Sequence, residues 1–339
     1  MLKNIYQVHP DILSAEIAKE FKSYRAKQVL DWLYKKFIYD PLDMSNLPKE
    51  LKDWLIKHYN SNLPEIDLKL VSSDGTVKYR LKLNDGALIE MVIIPEDNKR
   101  TLCVSSQVGC SRNCSFCATA KMKLKRNLEV YEILGQIILA SRELTPDRLT
   151  NIVFMGMGEP MDNLDNLIQS LIQLQSETGL SFSPRRITVS TCGVIPGIRK
   201  LADLGIKTKL AVSLNSAINV KRTNLMPVNA AYPLPDLKQS LLYFRRKTNF
   251  RITFEYILIP DVNMDAADLK ALAAYVNDIS CKVNIIPYNP SPGSPWRAPS
   301  QEEIEQFMSK AMIVKQAVTL RKSRGKDISG ACGQLVAKV

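Results

Sequence analysis

The sequence predicts an α/β protein: a parallel sheet curled into a partial β/α barrel, preceded by a helical accessory domain and a small linking antiparallel sheet. Three observations predict it. Apolar residues before residue 60 follow helical spacing, residues 66–95 alternate in strand fashion, and from Leu102 onward short apolar strands alternate with amphipathic stretches of helical length. Repeated β/α units of this length favour a barrel-like sheet, whose sites lie at the carboxyl ends of its strands.

Taken in order, residues 12–60 place Leu30, Leu33 and Phe37, then Leu51, Trp54 and Leu55, at helical spacing, with a break from Asp43 to Pro48. A helical domain over 1–62 is expected. Leu68 and Leu70, Tyr79 and Leu81, and Leu88, Glu90 and Val92 alternate through the next stretch, which gives the linking sheet over 63–97. Glu90 interrupts an otherwise apolar strand, and by pattern alone a carboxylate there points outward. The barrel is expected over 98–322, with strands at 101–105, 151–155, 186–190, 208–214, 252–258, 282–287 and 315–320. Helices are expected between them at 129–141, 163–176, 234–247, 265–278 and 301–312. The remainder, 323–339, contains Arg324-Gly-Lys-Asp-Ile-Ser-Gly-Ala-Cys332-Gly, a glycine-rich basic segment suited to a mobile loop. There is no internal repeat and no low-complexity tract.

The 339 residues are 45% hydrophobic with a mean hydropathy of -0.11, the composition of a soluble globular chain with one large core and an accessory domain. No segment is apolar for long enough to span a membrane, and the first twenty residues carry no signal-like apolar run. A cytoplasmic monomer is expected. Seven cysteines, odd in number and mostly clustered, fit a reducing compartment in which thiols act as ligands or reactants. A formal net charge of +12 and a pI near 9.3 point to a polyanionic partner, nucleic acid first. Basic clusters recur at Lys121, Lys123, Lys125 and Arg126, at Lys221 and Arg222, at Arg245 to Lys247, and at Arg321, Lys322, Arg324 and Lys326.

The chemistry concentrates in Cys110-Ser-Arg-Asn-Cys114-Ser-Phe-Cys117. Three thiolates so spaced can hold three irons of a four-iron cubane and leave the fourth open. The only histidines, His9 and His58, lie far upstream, so few partners remain to complete a conventional four-ligand site. A zinc site with Cys103 as fourth thiolate is the alternative, although structural zinc usually takes paired knuckles. Burial of all three as small hydrophobes fits poorly with the polar flanks Ser111, Arg112 and Asn113.

Cys-x3-Cys-x2-Cys with Phe116 before the last cysteine resembles the signature of the radical S-adenosylmethionine (SAM) superfamily, whose core is a six-stranded partial β/α barrel. The surrounding text is narrower. Cys103-Val-Ser-Ser-Gln-Val-Gly-Cys110, Phe154-Met-Gly-Met-Gly-Glu-Pro160, Ile187-Thr-Val-Ser-Thr191, Ile286-Pro-Tyr-Asn-Pro290 and Ala331-Cys-Gly-Gln-Leu335 resemble the RlmN/Cfr family of adenine-C2 RNA methyltransferases over nearly the whole chain.

That resemblance implies a [4Fe-4S] cluster on Cys110, Cys114 and Cys117, and two SAM molecules per turnover. Gly158 and Glu159 would contact the amino end of SAM, while Ser190, Ser213, Leu214, Asn215 and Asn289 would line its pocket. C2 of adenine is electron-poor and cannot attack a sulfonium methyl directly. In the implied route one SAM methylates Cys332, and a 5′-deoxyadenosyl radical from the second converts that methyl into a carbon radical that adds to C2. Glu90, in Ile89-Glu-Met-Val92, would remove the C2 proton, and Cys103 would release the product by forming a transient disulfide with Cys332. The implied substrates are 23S rRNA and, in the RlmN branch, the anticodon loop of tRNA, with a reductant such as flavodoxin.

Cys192 and Cys281 match no family role and read as packing residues. Asn215 replaces a pocket histidine, and Lys123-Leu124 stands where Gly-Phe is usual. These departures leave room for a respecialised paralogue. Spacing does not separate C2 from the C8 methylation of the Cfr type. Two further classes remain open: a different radical SAM enzyme, which would not need the Cys103 and Cys332 pair, and a zinc-stabilised RNA-binding protein without turnover.

Overall fold

The helical spacing at the amino end becomes α1 (Pro10–Glu20), α2 (Tyr24–Tyr34) and α3 (Lys49–His58), bracketed by a short parallel pair, β1 (Lys3–Asn4) and β2 (Tyr59–Asn60). The computed structural model describes residues 2–337. Leu13, Ile17, Val29, Leu33, Leu51 and Leu55 recur three or four residues apart and are buried, as a shared helical core requires.

Strands β3 (Glu65–Val71), β4 (Val77–Lys82) and β5 (Leu88–Glu96) are antiparallel, and β5 pairs in turn with β6 (Lys99–Cys103). The linking strands are thus continuous with the barrel in one ten-stranded sheet. Next comes a two-stranded antiparallel ribbon, β7 (Gln107–Val108) with β8 (Arg126–Asn127). The β/α succession follows: α4 (Val130–Leu144), β9 (Asn151–Phe154), α5 (Leu164–Gln175), β10 (Ile187–Thr191), α6 (Ile195–Asp203) and β11 (Lys209–Ser213). It continues with α7 (Asn219–Leu225), α8 (Val228–Ala231), α9 (Leu234–Thr248), β12 (Ile252–Leu258), α10 (Ala266–Val276), β13 (Cys281–Pro287), α11 (Gln301–Lys310) and β14 (Ala317–Leu320).

Strands β6 and β9 to β14 are all parallel and neighbour one another in chain order, as successive β/α units winding in one direction require. The helices α6, α7 and α8 add elements that the sequence pattern did not predict. On β12, Phe254 packs edge-on against Tyr275 of α10 and Tyr256 stacks on Phe307 of α11, so the alternate residues Thr253, Glu255 and Ile257 face away from the helices. Register carries that inner face across the sheet through Ser213, Glu255, Asn284 and Thr319 in one direction. In the other it reaches Thr188, Val153, Cys103 and Val92, and two residues along β5 lies Glu90. Among the described residues no helix is long and apolar enough to cross a membrane.

Candidate active site

The ribbon of β7 and β8 closes the neck of the loop that carries the three cysteines. Gly109, at φ +81°, sits where a Cβ would come within 1.8 Å of the Lys123 carbonyl oxygen, so only glycine lets the two sides of the neck meet. The Gly-Met-Gly-Glu turn after β9 is bonded onto this neck. The Glu159 amide donates to Gln107 Oε1 at 2.8 Å, Gln107 donates to Asn127 Oδ1 at 2.8 Å, and the Ser106 amide donates to the Met157 carbonyl at 2.8 Å. A Cβ on Gly158 would meet Gln107 at 2.5 Å, which accounts for glycine there.

All seven cysteines are free thiols, and Cys110, Cys114 and Cys117 are partly exposed. Burial pushes the Cys110 thiol up to about 11, and burial pushes Cys114 further still, with the charges of Cys117 and Cys110 adding to it. The three thiols therefore feel one another. Yet among the described residues no three His, Cys, Asp or Glu side chains converge as ligands of a single ion. Cys103 ends β6, is 7% exposed, and its thiol is influenced by Cys332 and Arg321.

Those two neighbours define a second cluster. Burial pushes the Cys103 thiol up to about 12, Cys332 adds to the shift, and the Arg321 guanidinium opposes it. Arg321 follows β14 and also reaches Met155, with Nη1 3.9 Å from the sulfur. Its own pKa is raised, first by Cys332. Cys332 is half-buried, on a tail laid across the carboxyl ends of the strands. The Ala118 amide donates to the Gly333 carbonyl at 2.8 Å, Thr119 Oγ1 to the Leu335 carbonyl at 2.7 Å, and Gln334 Nε2 to the Pro290 carbonyl at 3.0 Å. The turn between β3 and β4 anchors the other side. Asp327 accepts from Ser72 Oγ at 2.5 Å and from the Ser73 amide at 3.0 Å, and Asp74 accepts from the Gly325 amide at 2.9 Å.

Glu90 faces this same space. It is 4% exposed, pairs with Lys78 Nζ at 3.2 Å, and accepts from the Val336 amide at 2.9 Å. The outward orientation that its strand pattern predicts is not found. β5 lies inside the ten-stranded sheet, so the face that would meet water in a small two-layer linker meets the tail instead.

Ser190 is the last residue but one of β10, Ser213 ends β11, and Asn289 follows β13, bonded to Ser323 Oγ at 3.0 Å. These three stand at the carboxyl ends of strands of the same parallel sheet. Glu159, Leu214 and Asn215 are fully engaged inside the protein. Both Glu159 oxygens accept backbone amides, from Met161 at 3.1 Å and Cys192 at 2.8 Å, and burial raises its pKa. Leu214 is fully buried. Asn215, at φ +56°, accepts from the Ile257 amide at 3.0 Å and donates to the Met226 sulfur, so it braces the turn after β11. Cys281 is buried in β13, and Cys192 serves through its backbone.

Several residues the sequence reading assigned to RNA have structural partners. Arg126 bonds Glu132 and Asp85, Lys221 bonds Asp265 and Asp268, and Arg222 is buried. Lys78, Gln107 and Arg321 were not foreseen as site residues. The signal for Arg321 was present, since a residue that directly follows a barrel strand lies at the end where such folds carry their sites.

Residues 104–273 match the family model of the radical SAM superfamily, and residues 16–60 match that of the ribosomal RNA large subunit methyltransferase N-terminal domain. A protein of Cytophaga hutchinsonii described as "Probable dual-specificity RNA methyltransferase RlmN" is 45% identical over 335 residues, covering 96% of this chain and 92% of the relative. A "Dual-specificity RNA methyltransferase RlmN" of Lawsonia intracellularis is 46% identical over 325 residues, covering 93% of this chain and 90% of the relative. The crystal structure of a radical SAM methyltransferase from Sphaerobacter thermophilus superposes with a TM-score of 0.94 at 38% identity, covering 99% of this chain and 100% of that one.

Proposed function

Because the chain belongs to the RlmN family of radical SAM dual-specificity RNA methyltransferases, we propose that it methylates C2 of an unpaired adenosine in 23S rRNA, and of one in the tRNA anticodon loop, with Cys332 as methyl carrier. The observation that carries this reading is the meeting of Cys332, Cys103 and Glu90 on one face of the sheet, beside the cysteine loop. An electron donor such as flavodoxin and the domain limits 1–62, 63–97, 98–322 and 323–339 belong to the same proposal.

The family's cofactors are a [4Fe-4S] cluster and SAM, used twice per turnover. Bound together they supply a 5′-deoxyadenosyl radical able to take hydrogen from an S-methyl group. Cys110, Cys114 and Cys117 would hold the cluster. Gly158 in its turn, with Ser190, Ser213 and Asn289 at the strand ends, would border SAM, and the buried Glu159, Leu214 and Asn215 would shape that border from behind.

The remaining steps fall to this chain's side chains. Cys332, half-exposed on the tail, takes the methyl group. Glu90, held by Lys78, accepts the proton from C2 of the adduct, whose unpaired electron would return to the cluster to leave a closed-shell thioether. Cys103 then bonds to the Cys332 sulfur as the sulfur–carbon bond breaks, the electron pair passing to carbon, which takes up a proton to become the methyl product. Burial keeps Cys103 protonated until that stage, and Arg321 is the cation placed to favour its thiolate. The adenine must leave its stack at a cost of roughly a few kcal/mol, which lysine contacts to phosphate offset.

Mass spectrometry of adenosines from cells with and without this protein tests the reading. A 2-methyl product that disappears with the protein is expected, and an 8-methyl product or no change would overturn it. Cys103→Ala is expected to accumulate a covalent RNA adduct through Cys332, visible as a gel-shifted band. Clean turnover by that variant removes Cys103 from the resolving role.

A further inference from the structure

Arg222, on α7, is 0% exposed and has no carboxylate within ion-pair distance among the described residues. Its guanidinium donates to the carbonyls of Leu214 at 3.2 Å, Cys192 at 2.6 Å and Ser213 at 3.1 Å, and to Asn229 Oδ1 at 2.9 Å. Two other guanidinium groups near the cysteine loop are neutralised, Arg112 by Asp162 and Arg126 by Glu132 and Asp85. The buried Glu159 bonds the amide of Cys192 while Arg222 bonds the carbonyl of that residue, so backbone separates the two charges. A guanidinium excluded from water without an anion is costly to hold.

The cysteine loop rests on the same helix. The Ser115 amide and hydroxyl both donate to the Leu225 carbonyl, at 3.0 and 3.1 Å, one turn from Arg222, and Cys114 is among the charges that Arg222 feels. The missing anion is thus expected where the cysteine trio binds its metal group. Resting on the cluster reading above, we propose that Arg222 is a positioning residue whose buried cation balances the cluster and sets how readily it accepts an electron. A fixed positive charge favours the redox state with one more electron, so its loss lowers the potential.

The competing role is a staple that ties the carbonyls of Cys192, Ser213 and Leu214 together and has no influence on the metal. Asn229→Asp separates the two. It places a carboxylate 2.9 Å from Nη1, cancels the charge and leaves the staple intact. Arg222→Met removes both, and Arg222→Lys keeps the charge while giving up part of the staple.

The protein and its three variants are reconstituted anaerobically, iron and sulfide are counted, and the cluster is titrated with redox mediators under paramagnetic resonance detection, without SAM or RNA. Asn229→Asp and Arg222→Met are expected to lower the reduced-to-oxidised ratio at fixed potential on the order of tenfold, which is about 59 mV for a one-electron couple. Arg222→Lys is expected to stay near the unsubstituted protein. An unchanged ratio in an iron-replete Asn229→Asp protein overturns the proposal, whether or not Arg222→Met folds. An unsubstituted protein that takes up no iron overturns the cysteine reading as well, a failure visible before any potential is measured.

Discussion

Lys123 is held at φ +53° and ψ 155°, a region that side chains other than glycine's occupy at a cost. Its carbonyl forms the close approach to Gly109, so the strain lies at the neck of the cysteine loop. The resemblance had marked this position as one where glycine is usual, and the backbone gives the physical reason. Lys123→Gly is expected to raise stability by about 1 kcal/mol, strain relief of about 1–3 kcal/mol less the entropy of a freer unfolded chain. Urea unfolding of the metal-free chain measures it, and an unchanged or lower midpoint counts against strain. Burial was not legible at single residues: the strand pattern set Glu90 facing outward and the charge pattern placed Arg222 in a basic cluster, because neither shows the sheet and helices that enclose them.

At the scale of elements, the tail and the β3–β4 turn form one docking unit. Burial alone would raise the Asp74 carboxyl, but hydrogen bonds from the Gly325 amide, Thr76 and Ser72 outweigh it and hold the group at about 2. A folded pKa below the unfolded value near 3.9 means that the contribution is fully present above that value and disappears as pH falls through about 2. Asp74→Asn removes the charge at neutral pH. Amide exchange across residues 324–333 is then expected to quicken several-fold while the barrel strands keep their protection, and unchanged exchange would show that the anchor lies elsewhere. The parallel strands were legible because each is a short apolar run between helical stretches. α6 was not foreseen, and near its start it carries Pro196 and Gly197, residues that disfavour a helix interior. In the fold Pro196 lies in the first turn, and Gly197 is needed because a Cβ there would meet Met161 at 2.7 Å. The linking strands were read correctly as antiparallel, but period alone carries no information on which strand pairs with β5 across a turn.

Over the whole molecule, the net charge of +12 divides into cations tied up in internal pairs and cations left to solvent. Lys121, Lys123 and Lys125 are exposed beside the cysteine loop, and Lys322 and Lys326 are exposed along the tail, whereas Lys221 is bonded to two aspartates. RNA affinity is expected to fall linearly with salt on logarithmic axes. Glutamine at 121, 123 and 125 together is expected to flatten that slope by about 2–3, at about 0.7–0.9 per phosphate contact. Lys221→Gln is expected to leave it unchanged. Fluorescence anisotropy with an rRNA fragment over a salt series distinguishes the two groups, and equal slopes for both would place the RNA on another surface.

The anchoring of Asp327 to Ser72 and Ser73 also sets a leash. Cys332 lies five residues beyond Asp327, and at about 3.6 Å per extended residue its Cα stays within about 18 Å of that knot while the knot stays tied. In the proposed reaction, loading and delivery of the carbon unit are thereby confined to the stretch of the sheet face within reach of that anchor.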